Sequence, residues 1–153
     1  MAAEARLVRD SFRPEEELAS FIAGLDGDGA VVSFTGVARP ADADGGAVSR
    51  LFLDSYPGMT EASLHAIAQK TLERFSVSSV RIVHRCGRIS PREPIVFAAA
   101  AARHRRAAFE AADYMMDRLK TDAVFWKRED GAGGSKWIEP TARDLADRAR
   151  WGD

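Results

Sequence analysis

The stretch SVRIVHRCGRISPREPIVFAAAAARHRRAAFEAADYMMDRLK, residues 79–120, decides the fold. Ser79–Arg85 has β character, with Val80 and Ile82 on one face. Gly87 and Pro91 punctuate a turn, and the apolar run Pro94–Ala101 follows as a second strand. From about His104 to Lys120 the spacing of Phe109, Ala112, Met116 and Leu119 predicts a helix with those four residues toward the core. Two consecutive strands with only a turn between them break the strand–helix alternation of a doubly wound parallel sheet. The stretch favours an α+β domain whose sheet is largely antiparallel.

Working outward, Glu4–Arg9 reads as a short strand. Pro14 opens a helix that places Leu18, Phe21, Ile22 and Leu25 on one face. Ala30–Val37 is β-branched and aromatic enough for a buried strand, and Arg39-Pro40 begins a polar loop through Asp42, Asp44, Gly45 and Gly46, expected to be a mobile flap. Val48–Ser55 is the next strand, and Thr60 the expected N-cap of a helix burying Leu64, Ile67, Ala68, Leu72 and Phe75. Downstream, Val124–Glu129 and Lys136–Glu139 form a hairpin about Gly131–Gly134. Thr141 with Asp144 resembles a capping box for a short last helix ending near Trp151. The expectation is a single domain over residues 1–153, with a mixed, largely antiparallel sheet and packed helices in an α/β-hammerhead-like arrangement.

Composition narrows the function. Twenty-two Lys and Arg balance 23 Asp and Glu in 153 residues, a net charge of −1, so no global field draws the chain to nucleic acid or an anionic membrane. The apolar run Ile95–Ala102 is too short to span a bilayer, and Glu4 and Arg6 interrupt any N-terminal export signal, which predicts a soluble, cytoplasmic protein. Cys86, the single cysteine, excludes an internal disulfide and a thiolate zinc cage, and reads as a small buried hydrophobe. His65, His84 and His104 lack neighbours at metal-site spacing, so neither a metal nor another cofactor is expected.

Arg103-His104-Arg105-Arg106 carries the most local information. It puts cations at a helix N-terminus, where the macrodipole is already positive, an arrangement that favours a bound phosphate or carboxylate. A solvated basic turn is the alternative. Lys120 sits at the other end of the helix, where the dipole welcomes a cation. Lys127 shares a strand face with Phe125 and Glu129, and burial there would free its amine as base or nucleophile; an edge lysine that discourages aggregation is the competing reading. Arg39, beside the Gly- and Asp-rich loop, either reaches an anionic substrate or is a surface charge.

Taken together, Phe34-Thr35-Gly36 with Arg39, Tyr56-Pro57-Gly58-Met59-Thr60-Glu61, His84-Arg85, His104-Arg105 with Phe109-Glu110-Ala111, and Met116-Asp117-Arg118-Leu119-Lys120-Thr121 through Phe125-Trp126-Lys127-Arg128-Glu129 resemble the molybdopterin synthase catalytic (large) subunit, the MoaE family. The likeness runs from about Ala30 to Glu139. It implies a sulfurtransferase that takes sulfur from the C-terminal Gly-Gly thiocarboxylate of a small ubiquitin-like sulfur-carrier subunit and converts cyclic pyranopterin monophosphate into the molybdopterin dithiolene of molybdenum cofactor biosynthesis. It further implies a homodimer of catalytic subunits within a heterotetramer. Lys120 and Lys127 would be the catalytic pair. Arg39, His104 and Arg105 would form the substrate and tail pocket, bordered by Arg128 and Glu129, with Val37 and Ala38 in the same substrate-binding segment. Val37 departs from the lysine that many members carry there. The competing function is a non-catalytic phosphate- or nucleotide-binding scaffold paralogue, which would need neither lysine.

Overall fold

The computed structural model describes residues 2–42 and 45–152. In chain order the elements are β1 (Ala2–Val8), α1 (Pro14–Ala23), β2 (Ala30–Val37), β3 (Val48–Ser55), α2 (Met59–Arg74), β4 (Ser79–Arg85), β5 (Gly87–Ile89), β6 (Pro94–Ala102), α3 (Arg105–Thr121), β7 (Phe125–Gly131), β8 (Gly134–Ile138) and α4 (Ala142–Ala149). The α+β class and the antiparallel bias read from the sequence are both present. The strands divide into two four-stranded sheets, ordered β1-β4-β6-β2 and β5-β3-β7-β8. Only β1 and β4 pair in parallel; every other neighbour is antiparallel.

The first sheet is buried on both faces through β4 and β6, which is why β6 reads as continuous apolar sequence instead of alternating. Val80, Ile82, Ala98 and Ala100 meet Leu64 and Ile67 of α2 and Ala108, Ala111 and Met115 of α3 on one face. Val83, Phe97, Ala99 and Ala101 meet Phe21 of α1 on the other. The five alanines at 98–102 have no bulk to hold a helix away, so α3 approaches the sheet closely through its own alanines. Removing Leu64, Ile67 and Met115 from water stabilises the fold by about 1.5–3 kcal/mol each.

Of the four residues predicted to face the core from α3, Ala112 and Leu119 are buried and Met116 packs against the core, and only Phe109 is misplaced. The buried apolar face of α3 runs through Ala108, Ala111, Ala112, Met115 and Leu119, and Phe109, one step of about 100° around the helix from Ala108, is 59% exposed. Ile22 is likewise half exposed, because α1 meets the sheet mainly through Phe21, with Leu18 and Leu25 beside it. The strand Ala30–Val37 is not a buried strand: β2 is the sheet's edge, paired only with β6, and Phe34 and Val37 face outward. Gly87–Ile89, read as part of a turn, pairs with Leu51–Leu53 as β5.

Helix α2 starts one residue before the expected cap, after Gly58, whose φ of 85° suits a residue without Cβ. Thr60 is inside the helix and fully buried; its hydroxyl accepts from the Tyr56 N–H (2.8 Å) and donates to the Val124 carbonyl (2.6 Å). The last helix has the predicted box, Thr141 Oγ1 accepting from the Asp144 N–H at 3.1 Å and Asp144 from the Thr141 N–H at 2.9 Å. In the loop after β2, Asp44 lies outside the described residues. The described part is a turn in which the Asp42 carboxylate accepts from the Gly46 N–H (2.8 Å) and pairs with Lys136 (3.5 Å). No described helix is long and apolar enough to cross a membrane.

Candidate active site

Strand β7 positions the first candidate lysine. Register with β3 sets Lys127 opposite Leu53, and register with β8 sets it opposite Ile138. Alternation then puts Phe125, Lys127 and Glu129 on the face that packs inward with Leu51, Leu53 and Ile89. The strand's start is anchored from α2, since Ser63 Oγ accepts from the Val124 N–H at 3.1 Å while Thr60 holds the Val124 carbonyl.

Burial draws the Lys127 amine below the ordinary lysine range, and the nearby Lys120 charge draws it further; Glu129 opposes the shift, Arg39 adds to it and Asp144 opposes it. These five groups come from the end of α3, from β7 itself, from the segment after β2 and from α4. Among the described residues none of Lys120, Lys127 and Arg39 makes an ion pair or side-chain hydrogen bond. Three cations that, among the described residues, no ion pair engages meet two carboxylates there, which leaves a net positive group suited to an anion arriving from outside.

Arg39 is carried into this group by a β-bulge between Gly36 and Val37. Ala38 is buried and docked by its backbone to the β5–β6 turn, its N–H donating to the Glu93 carbonyl (2.9 Å) and its carbonyl accepting from the Arg92 N–H (2.7 Å). Val37, half exposed, presents an apolar side chain just before Arg39.

His84 belongs to the site as well. It is the last residue but one of β4, on the face shared with Val80 and Ile82, stacks on Phe125 with ring centroids 4.4 Å apart and planes 27° from parallel, and is 9% exposed. Burial pushes its pKa down to about 4; the bond to the Arg85 carbonyl opposes this, and the charges of Lys120 and Lys127 add to it. The sequence itself weighs His84 only as a metal ligand; Cys86, two residues on, is buried as expected. A histidine on an apolar strand carries no sequence signal of what crosses over it, so only the resemblance, which includes His84-Arg85, marked the position.

Other expected residues lie elsewhere in this chain. His104 is the N-cap of α3 and Arg105 its first residue, both exposed, with no acidic residue in the first turn and no side-chain cap. At 1.5 Å per residue, Arg105 and Lys120 are about 22 Å apart along the helix. Arg128 points to the opposite face of β7 from Lys127. Its guanidinium lies over Phe52 (4.9 Å) and Trp137 (5.7 Å) and forks onto the Asp130 carboxylate at 2.9 and 3.2 Å. Trp126 and Trp137 meet edge to face on that same side and are both exposed. Beside them Tyr56, Met59, Ala123, Val124, Phe125 and Trp126 line a shallow cavity of about 320 Å³. No group of three or more His, Cys, Asp or Glu among the described residues is placed to hold a metal ion.

Comparison with known proteins identifies the family. The family model described as MoaE protein matches residues 7–122. The molybdopterin synthase catalytic subunit of Caulobacter vibrioides is 51% identical over 145 residues, 95% of each chain. Among solved structures, the molybdopterin biosynthesis MoaE protein from Burkholderia ambifaria superposes with a TM-score of 0.83 at 38% identity, covering 99% of each chain. The molybdopterin synthase of Staphylococcus aureus does so with a TM-score of 0.77 at 30% identity, over 86% of this chain and 94% of that one. With a family model covering most of its length and relatives alike from end to end, the chain belongs to the MoaE family, the catalytic subunits of molybdopterin synthase.

Proposed function

We propose that the lysine site is where sulfur passes from the C-terminal thiocarboxylate of a small carrier subunit to cyclic pyranopterin monophosphate, forming the dithiolene of molybdopterin. The observation that carries this reading is the half-buried Lys127 amine beside Lys120 and Arg39, all three engaged by no ion pair among the described residues. A thiocarboxylate and a phosphate are both anions, and both find three cations here that, among the described residues, no ion pair engages, with Glu129 and Asp144 offsetting only part of their charge. Burial raises the fraction of free amine on Lys127. Once the carrier's sulfur has bonded to the pterin, the amine takes a proton from the water that attacks the acyl carbon. The acyl–sulfur bond breaks, the sulfur stays on the pterin and the carrier leaves as its carboxylate. Lys120 and Arg39 hold the negative charge that develops on oxygen and sulfur. A scaffold that merely bound phosphate would have no use for a desolvated amine.

His104 and Arg105 join the same pocket if two copies of the chain pair, the basic N-terminus of one α3 completing the lysine site of the other. The distance along α3 supports this, because one chain cannot bring its own two ends together. The open apolar cavity lined by Tyr56, Met59 and Trp126 adjoins the strand that carries Lys127 and offers the carrier's body a surface to rest on while its tail reaches the amine.

The test is reconstitution from purified parts: this protein, cyclic pyranopterin monophosphate and a carrier ending in Gly-Gly thiocarboxylate, with products read by mass spectrometry. Dithiolene should form and should vanish when the carrier ends in an ordinary carboxylate. Binding of the precursor without conversion, by protein whose carrier is competent with a known synthase, would leave the scaffold reading instead.

A further inference from the structure

We propose that His84 is a positioning residue of this site, a ring that fixes Phe125 in place and closes the inner wall behind the half-buried Lys127 amine against water. The proposal concerns the same site as the function above, and its structural argument is independent of the substrate.

The geometry is specific. β4 delivers His84 as its last residue but one, on the face covered by α2 and α3 and within reach of the charge of Lys120 in the last turn of α3. The Nδ1 atom lies 2.8 Å from the Arg85 carbonyl, an acceptor only, so Nδ1 carries the proton and the ring's tautomer and tilt are set. Its flat face is then spent on Phe125. Two residues further along β7, on that same face, stands Lys127. His84 and Phe125 therefore form a two-ring bridge between the two sheets, and Phe125 also packs against both the main core and the Leu51, Leu53 and Ile89 cluster.

A neutral ring is required in this place. Lys120 and Lys127 both impose their charge on His84, and a third cation would repel them. The imidazole stays uncharged near neutral pH because its burial opposes protonation. The groups that face Lys127 are Lys120 at the end of α3, Glu129 on β7, Arg39 after β2 and Asp144 on α4. His84 differs from all of them in acting through exclusion of water and not through charge.

The experiment follows the four lysines of the intact protein, Lys70, Lys120, Lys127 and Lys136, by NMR of carbon-13 labelled side chains across pH, with no substrate present. In the wild type Lys127 should titrate lowest. His84→Ala should let water in and move Lys127 upward by roughly one pH unit. His84→Phe, which keeps a neutral ring on Phe125, should leave it near the wild-type value. His84→Asn keeps a donor for the Arg85 carbonyl and removes the ring; it should shift Lys127 as Ala does, and it decides the matter if the Ala variant fails to fold. An unmoved Lys127 in a folded Ala or Asn variant overturns the proposal, and so does a wild-type Lys127 that titrates with the other three. Dithiolene formation is measured separately on the same variants. Its absence from wild type, with the lysine shifts as expected, would count against the proposed function and leave the role of His84 standing.

Discussion

Lys127 and His84 illustrate how burial acts in opposite ways on chemistry and on stability. For Lys127 it depresses the amine's proton affinity, which serves a nucleophile or base. For His84 the cost appears in acid. The imidazole is held to about 4 in the folded chain against 6.5 unfolded, so the unfolded state binds the extra proton first as pH falls. The stability contribution of a neutral His84 is fully present above pH 6.5 and is lost between 6.5 and about 4, with a ceiling on the order of 3 kcal/mol. From pH 7 to pH 4 the urea midpoint of wild type should fall steadily relative to that of His84→Phe, whichever is the higher at pH 7; parallel curves would show that His84 does not titrate in this way. Arg39 makes a prediction of affinity and not of fold. Arg39→Ala should raise the precursor concentration needed for half-maximal rate by roughly ten-fold, the loss expected of one charge-assisted contact. An unchanged requirement would remove Arg39 from the pocket.

At the scale of elements, α3 and α4 show what local sequence can and cannot convey. Cations at the start of α3 were legible as an anomaly, and Lys120 at its end as favourable with the dipole, but the outward turn of Phe109 was not. Phe109 was expected inside because the periodicity fits several faces; the alanines of β6 selected the one through Ala108, Ala111 and Met115. Edge status was equally hidden, since β2 has the composition of a buried strand and only the sheet order leaves it outside. The capping box of α4 was read correctly because its bonds are local. Beyond the box, α4 buries no residue, and long-range contacts that no spacing rule predicts attach it. Arg148 pairs with Asp122 (2.9 Å), Arg150 with Asp113 (2.6 Å) and Asp117 (2.9 Å), and Trp151 donates to Asp117 while meeting Phe75 and Tyr114 edge-on. Trp151→Ala should therefore cost about 2–3 kcal/mol and raise amide exchange through α4. A variant with wild-type urea midpoint and exchange would mean that the helix is held by its ion pairs alone.

For the whole molecule, the division of the site residues is the decisive feature. The lysines, Arg39, Glu129 and His84 gather where the two sheets meet, whereas His104 and Arg105 stand at the far end of α3 and Arg128 on the outer face of the second sheet. Short ordered words in the sequence identified the family, yet they carry no information on which chain completes which pocket. If two copies share their sites, Lys127→Ala and Arg105→Ala should each be inactive alone. Random mixed dimers should recover about a quarter of wild-type rate, because half the dimers then hold one intact site of two. No recovery, with mixed dimers demonstrated, would put His104 and Arg105 outside the lysine pocket. The claim on which the rest depends is that sulfur transfer occurs at the lysine pair, and the most direct measurement is dithiolene yield by mass spectrometry in a single-turnover reconstitution of wild type, Lys120→Ala and Lys127→Ala, each checked for a wild-type fold by circular dichroism. Dithiolene from the wild type and a loss of at least about a hundred-fold in both folded variants is the predicted result; wild-type yield from either folded variant would contradict it.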